Sequence, residues 1–420
     1  MNNVILLMTF PIQDKNLELE PSILTVVSSL TEFDGRLIYI YDNDTIKYEI
    51  NEDYNICSYL CSVYISGLED FKNWAKYRDK EKIIVGGYEP TLNPEEFENY
   101  SSRIILGPCD DLSETLLSQS GKIVKGITSF KNIPRYDLYD IKLNQQIIPD
   151  KNPEDIVVSI NTSMGCYFNC DFCCSPLMSS NKIISKPLQL VEKEVNYFKK
   201  YNPKFLFIRD GNFPLQKDWK QKLDIIHKNL INTKIYLFSS STFCTNEDDV
   251  QFLKENGVYM ICLGLEDITI DYKKNINLDK ACKILKKYDI YIYLSFIVDP
   301  TKINTEENSR EFYKKLTTRF IELKPEMVCG NFLMPFKGTK IWNKYKHLVD
   351  IPDDFKFYNS KSAFLEKNLI NRKKMEYDMF KVQWDYYTSV LYKVYVRDFE
   401  IGDTLYNRFI ELKNKFENGN

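Results

Sequence analysis

The sequence predicts an α/β chain: an open parallel sheet with helices on its faces, then a partial parallel (β/α)6 barrel, then a helical C-terminal segment. Three observations carry the prediction. Short apolar runs, β-branched and aromatic, alternate with helix-length stretches along most of the chain, the pattern of parallel strands joined by crossover helices. At 420 residues the chain is too long for one ordinary core. Its 44% hydrophobic and 14% aromatic residues exclude a largely disordered chain.

In residues 1–125 the runs Val4–Thr9, Leu37–Tyr41, Leu60–Ile65, Lys82–Val85 and Arg103–Leu106 read as buried strands, with helices such as Pro21–Leu30 and Leu68–Tyr77 between them. Pro134, Pro149 and Pro153 punctuate a polar connector, residues 126–155, which marks an interdomain linker. Residues 156–350 repeat the alternation more regularly. Their strands are Ile156–Asn161, Lys204–Arg209, Lys234–Phe238, Tyr259–Gly264, Tyr291–Val298 and Met327–Leu333, with helices such as Leu188–Lys200, Asp248–Asn256 and Leu278–Lys287. Functional groups of such a barrel gather at the C-terminal ends of its strands. Residues 351–420 are rich in Tyr, Lys and Phe, and Tyr377–Phe399 alternates aromatic and charged groups near the helical period, which predicts a helical cap.

A formal net charge of −3 provides no basic excess for gripping phosphates and argues against intact nucleic acid as a partner. The apolar run in residues 1–12 has neither a basic leader nor a small-residue cleavage site after it. No stretch nears the roughly 20 apolar residues of a membrane helix. The expectation is a chain without a membrane partner, in the reducing cytoplasm. Eleven cysteines, an odd count, exclude a fully paired disulfide framework. Cys57, Cys61, Cys262, Cys282 and Cys329 lie in apolar segments and read as small core residues. His227 and His347 lie in Lys-rich helical surroundings and read as exposed.

One motif stands apart: Cys166-x3-Cys170-x2-Cys173, within Ser163–Cys174 and directly after the first barrel strand. Three thiolates from one short loop hold three irons of a cubane and leave the fourth open to chelate a small molecule. Zinc is the competitor. It asks for four ligands, usually as two spaced pairs, and neither a second Cys-x2-Cys nor a neighbouring histidine follows.

This spacing, with Phe172 before the last cysteine, resembles the radical S-adenosylmethionine superfamily. The resemblance implies a 4Fe-4S cluster on Cys166, Cys170 and Cys173 whose open iron binds S-adenosylmethionine. Reduction by an external donor such as flavodoxin or ferredoxin then yields methionine and a 5′-deoxyadenosyl radical, which abstracts hydrogen from substrate. It extends to later strand ends. Asp210, with Gly211 and Asn212, resembles the segment that binds the methionyl amino group. Ser239, followed by Ser240 and Ser241, offers hydroxyls, Glu266 resembles a contact to the ribose or amino group, and Ile297 falls where an apolar residue flanks the adenine. Pro335–Thr339 resembles a post-strand "PxxGT" turn of one subgroup.

The first unit also has a counterpart. Gly86-Gly87-Tyr88-Glu89-Pro90-Thr91, and Pro21 opening a helix, resemble the Rossmann-type cobalamin-binding domain that precedes the barrel in one large subgroup. Members of that subgroup often reach cobalt with a histidine. No histidine precedes His227 here, so the expectation is a cobalamin-binding-like fold that holds no cobalamin and roofs the barrel. Glu20, Tyr64, Tyr88 and Glu89 are then candidate substrate contacts. The overall sequence resembles salvage lyases that release queuine from queuosine or its 5′-phosphate, which implies a modified nucleoside or nucleotide as substrate and cleavage of a C–N bond. Two alternatives stay open: a cobalamin-type radical methyltransferase or peptide or natural-product tailoring enzyme, and a non-enzymatic metal-binding module.

Overall fold

The structure, a computed structural model, describes residues 2–10, 23–30, 36–37, 54–138, 156–266, 277–349, 372–386 and 414. The chain divides into two compact units. One is Met1–Gln145 with Asn161–Tyr201 and Pro335–Lys344; the other is Gln146–Ile160 with Asn202–Met334 and Tyr345–Asn420.

The first unit holds β1 (Asn2–Phe10), β2 (Arg36–Leu37), β3 (Tyr54–Val63), β4 (Ile83–Gly86), β5 (Arg103–Leu106) and β6 (Ile123–Lys125). All pair in parallel, in the order β2-β1-β3-β4-β5-β6. The order reverses between β1 and β3, the switch point where open α/β sheets receive ligands. Leu6, Leu7 and Met8 are buried in succession, as in a strand covered on both faces. Helix α1 (Ile23–Val26) is followed by α2 (Leu68–Ala75), which turns Leu68, Phe71 and Ala75 inward at helical spacing. Phe71 meets Phe10 at 5.5 Å and Phe97 at 5.2 Å. Next come α3 (Tyr88–Leu92) and α4 (Leu112–Leu117). The strand predicted over Leu37–Tyr41 is described only at Arg36–Leu37, and the rest lies outside the described residues. Strand β3 begins at Tyr54 rather than Leu60, and β6 escapes the sequence pattern because only Ile123 and Val124 of its three residues are apolar.

The chain then passes through β7 (Val157–Ile160), in the second unit. It returns to the first for a hairpin of β8 (Ser163–Met164) and β9 (Ile184–Ser185), with α5 (Ser175–Met178) between them and α6 (Leu188–Phe198) after. The second unit continues with β10 (Phe205–Ile208), β11 (Lys234–Phe238), β12 (Val258–Glu266), β13 (Tyr291–Val298) and β14 (Met327–Phe332). With β7 these form a six-stranded parallel sheet in sequential order. Between the strands run α7 (Trp219–Asn229), α8 (Glu247–Glu255), α9 (Leu278–Lys287) and α10 (Glu306–Leu323). Alternate residues such as Ile292, Leu294, Phe296 and Val298 are buried. The other, half-buried face carries an aromatic ladder, with Phe205–Tyr236 at 5.4 Å, Tyr236–Tyr259 at 6.1 Å and Tyr259–Tyr291 at 4.6 Å.

After α11 (Lys340–Tyr345), the predicted helical tail is described over α12 (Arg372–Tyr386). It docks on β14 at Gly330, where a Cβ would meet Phe296 Cζ at 2.6 Å. Gly330 N–H donates to Gln383 Oε1 at 3.1 Å, and Tyr386 OH to Pro325 O at 2.7 Å. The part of Tyr377–Phe399 beyond Tyr386 lies outside the described residues. No helix among the described residues is long and apolar enough to cross a membrane.

Candidate functional site

The cysteine loop belongs to the first unit. Its base is the hairpin, with Ser163 opposite Ser185 and Met164 opposite Ile184, extended by Lys186 N–H donating to Thr162 O at 2.9 Å. Gly165 takes φ +86°, and a Cβ there would lie 2.2 Å from Ser179 Oγ and 2.3 Å from Lys182 O. Only glycine lets the chain double back at this point. Cys166 is buried, Cys170, Phe172 and Cys173 are half-buried, and Cys173 N–H donates to Cys170 O at 3.1 Å. Phe168 N–H lies 3.4 Å from Cys166 Sγ, as donor. Hydrogen bonds to sulfur are one means by which a protein sets a cluster's potential.

Among the described residues no three His, Cys, Asp or Glu converge on a single ion. Three thiols on one loop, Cys166, Cys170 and Cys173, fit three corners of a cubane.

Two anchors hold this loop. Lys186 forms an ion pair with Glu194, whose other oxygen accepts from Tyr136 OH at 2.5 Å, and all three residues are buried. A buried pair of this kind is tolerated because its remaining lone pairs are satisfied. Opposite, Asp171 meets Lys340 Nζ at 2.9 Å and accepts at its carbonyl from Ile341 N–H at 3.1 Å. The Pro335–Thr339 turn thus backs the loop, with Gly338 at φ +83° against Leu177.

At the switch point of the N-terminal sheet, Tyr64 N–H donates to Phe10 O at 2.9 Å. Its ring stacks on that of Tyr88 at 5.8 Å and 22°. Gly87, at φ +99° with Ser62 Oγ 3.0 Å from where a Cβ would be, turns the chain into α3. Glu89, in the first turn, points inward and is 0% exposed. Its Oε1 accepts from Asn93 Nδ2 at 2.5 Å, while Glu89 Oε2 and Asn93 Oδ1 are buried without partners. Asn93 Oδ1, an acceptor at any pH, wants an N–H donor, and the peripheral amides of a corrin carry such donors, so the residues fit cobalamin without a histidine for its metal. Glu20 lies outside the described residues.

Burial pushes the Glu89 carboxyl up to about 7, against the lowering effects of Asn93 and Lys337. The folded chain therefore keeps a proton that the unfolded chain releases above about 4.5. The resulting stability is fully present below that pH and is lost as pH rises to about 7, about 3 kcal/mol in all. Denaturant unfolding of Glu89→Gln is expected to show a flatter pH profile over this window than the parent chain and a higher midpoint near pH 8. Parallel profiles would refute the assignment.

In the second unit, the parallel register brings residues 210, 239, 266 and 297 toward one sheet edge. Asp210 is 2% exposed and accepts from Gln216 Nε2 at 2.7 Å, which excludes a merely solvated strand-end acid. Gly211 is exposed and Asn212 buried. Ser239 is buried, its Oγ 3.6 Å from Cys244 Sγ. Glu266 sits at φ +57° beyond a register shift, and Gly264 leaves room for its carboxylate, since a Cβ there would meet Oε1 at 2.4 Å. A bulge of this kind re-aims a side chain at the expense of local strain. Ile297 lies on the half-buried face of β13.

Two sequence expectations need correction. His227 is half-buried with Nδ1 enclosed and unpartnered, because Gly257 packs against its ring; His347 is exposed. Cys57 is exposed where the β1–β3 register skips it, and Cys262 and Cys329 are half-buried because each falls on the less covered face of its strand. Sequence reasoning missed Asn93, Gln216, Lys222 and the Tyr136–Glu194–Lys186 cluster. The available signal was a charge inside an apolar stripe: Glu194 between Val191, Val195 and Phe198, and Lys222 between Trp219, Leu223 and Ile226.

Residues 160–308 match the family model of the Radical SAM superfamily, so the chain carries a radical SAM domain. It is 24% identical over 399 residues to the bacteriochlorophyllide d C-8(2)-methyltransferase of Chlorobaculum tepidum, covering 87% of this chain and 85% of that protein. It shares its fold with the radical S-adenosylmethionine methyltransferase TsrM from Kitasatospora setae, solved with cobalamin and a [4Fe-4S] cluster. There the TM-score is 0.60 at 13% identity, over 84% of this chain and 80% of that one. The cobalamin-dependent radical enzyme OxsB, solved with aqua-cobalamin, matches with a TM-score of 0.57 at 14% identity, over 93% and 68%. These likenesses overturn the expectation against cobalamin: the fold extends across cobalamin-bound structures, and a missing histidine is no ground for excluding the cofactor.

Proposed function

We propose that this radical SAM enzyme transfers a methyl group from S-adenosylmethionine to a small-molecule substrate, with cobalamin carried by its N-terminal sheet. The observation behind the reading is the joining, in one chain, of a three-thiol loop to a parallel sheet whose edge holds an orphaned acceptor at Asn93. The methyltransferase relative points the same way. When bound, a 4Fe-4S cluster on Cys166, Cys170 and Cys173 supplies the electron that cleaves S-adenosylmethionine, and cobalamin supplies a methyl carrier.

In this reading Asp210 accepts the ammonium group of S-adenosylmethionine, with Gly211 and Asn212 beside it. Ser239 and Glu266 take the ribose hydroxyls, Ile297 lies against the adenine, and Phe172 shields the cluster. Tyr64, Gly86, Gly87 and Tyr88 line the corrin edge, and Asn93 Oδ1 accepts from its amides. An external flavodoxin or ferredoxin delivers the electron, in a reducing compartment such as the cytoplasm, which suits eleven cysteines among which no disulfide is found.

A second reading is the lyase that frees queuine from queuosine or its 5′-phosphate. The stacked Tyr64 and Tyr88 favour it, since an exposed π-face is what a guanine-like base takes up. One experiment separates the two. The anaerobically reconstituted chain is titrated with aqua-cobalamin, then reduced with S-adenosylmethionine and queuosine 5′-phosphate or a tetrapyrrole acceptor. Cobalamin uptake with S-adenosylhomocysteine supports methyl transfer; free queuine with 5′-deoxyadenosine, and no cobalamin uptake, sinks it in favour of the lyase.

A further inference from the structure

We propose that Lys222 is a positioning residue for S-adenosylmethionine: through the Gln216 amide it fixes the Asp210 carboxylate that receives the ammonium group. The inference rests on the role assigned to Asp210 above. Asp210, Gln216 and Lys222 are 2%, 3% and 0% exposed. Gln216 Nε2 donates to Asp210 Oδ2 at 2.7 Å and to Phe213 O at 3.2 Å, and Gln216 Oε1 accepts from Lys222 Nζ.

A primary amide has one donating end and one accepting end. With a carboxylate at one end and an ammonium at the other, a single orientation satisfies both. The amide is therefore locked, and the Asp210 side chain is held before any ligand arrives. Lys222 itself projects from the apolar stripe of α7, where a methionine would fill the same space. Burying an ammonium there is unfavourable unless it is paired, and Asp218, 3.3 Å away and 28% exposed, is a partly solvated partner. The Gln216 amide oxygen is the buried acceptor that this cation meets. The intervening amide also matters for sign. A lysine in direct contact with Asp210 would compete with the incoming ammonium, whereas acting through the Gln216 amide it orders the acid.

The test uses the full chain with its cluster reconstituted. It measures equilibrium binding of S-adenosylmethionine, its steady-state reductive cleavage, and the paramagnetic resonance of the reduced cluster without cosubstrate. Lys222→Met should raise Kd and KM for S-adenosylmethionine about tenfold, with kcat at saturation within about threefold. Iron content and the cosubstrate-free resonance should match the parent chain. In an Asp210→Asn background, Lys222→Met should add less than about twofold, because the two residues act as one unit. Gln216→Leu carries the same expectation for KM should Lys222→Met fail to fold. Multiplicative losses in the double variant, or an unchanged KM with a lowered melting temperature, overturn the proposal. If Asp210→Asn alone leaves KM unchanged, the assignment of Asp210 falls first and the proposal with it, a result distinguishable from the other two.

Discussion

Cys170→Ala is expected to strip the reconstituted chain of its cluster and to lower S-adenosylmethionine cleavage by more than about a hundredfold. Loss of an outer hydrogen-bond partner of a metal ligand already lowers affinity or activity about 10–100-fold, and removing the ligand itself goes further. Cys170 lies in the middle of the triad, on a loop whose ends are tied by the hairpin and by Asp171, so no neighbouring side chain has slack to replace it. Cys174 is the discriminating control. It is adjacent to Cys173 and buried at 8% exposure, and Cys174→Ala should keep iron and sulfide near the parent values. Retention of the cluster by Cys170→Ala, or its loss from Cys174→Ala alone, would redraw the ligand set.

Gly165→Ala is expected to be nearly as damaging by a different route. A non-glycine residue in a left-handed conformation is unfavourable by about 1–3 kcal/mol. The new Cβ would also run into Ser179 Oγ and the Lys182 carbonyl, at 2.2 and 2.3 Å, for about 1–3 kcal/mol more. The hairpin that closes the cysteine loop is two residues per strand and cannot absorb that. Iron content should fall below about a tenth of the parent value while the far-ultraviolet circular dichroism of the two large sheets persists. Gly121, at φ +101° with nothing within 4 Å of a Cβ, isolates the backbone contribution. Should Gly121→Ala and Gly165→Ala behave alike, the closure argument fails.

The parallel character of both large sheets is legible in the sequence because most of their strands hold an apolar run bounded by a helical segment; β6, three residues long, does not. The cysteine triad and Asp210 are legible for a related reason: their neighbours in space are their neighbours in sequence, or recur at each strand end. Glu89 shows where this stops. Gly86-Gly87-Tyr88-Glu89 reads as a segment that offers Tyr88 and Glu89 to a substrate, and only the left-handed Gly87 and the packing of α3 carry the carboxyl inside. Likewise Tyr136 and Glu194 are 58 residues apart, with no local pattern to pair them. The cobalamin expectation failed for a third reason. A missing ligand residue was read as a missing cofactor, although a macrocycle bearing many amides is held chiefly by its rim.

Five thiols outside the cysteine loop, Cys61, Cys109, Cys244, Cys262 and Cys282, are pushed up by burial, Cys244 and Cys282 to about 12. Oxygen and electrophiles attack the thiolate, so in air these sulfurs are bystanders. Aerobic damage falls instead on Cys57, exposed on β3, and on the loop that the cluster needs. A reconstituted preparation spoiled by air is therefore expected to keep its fold and lose its iron, with iron content restored by reduction and reconstitution without refolding.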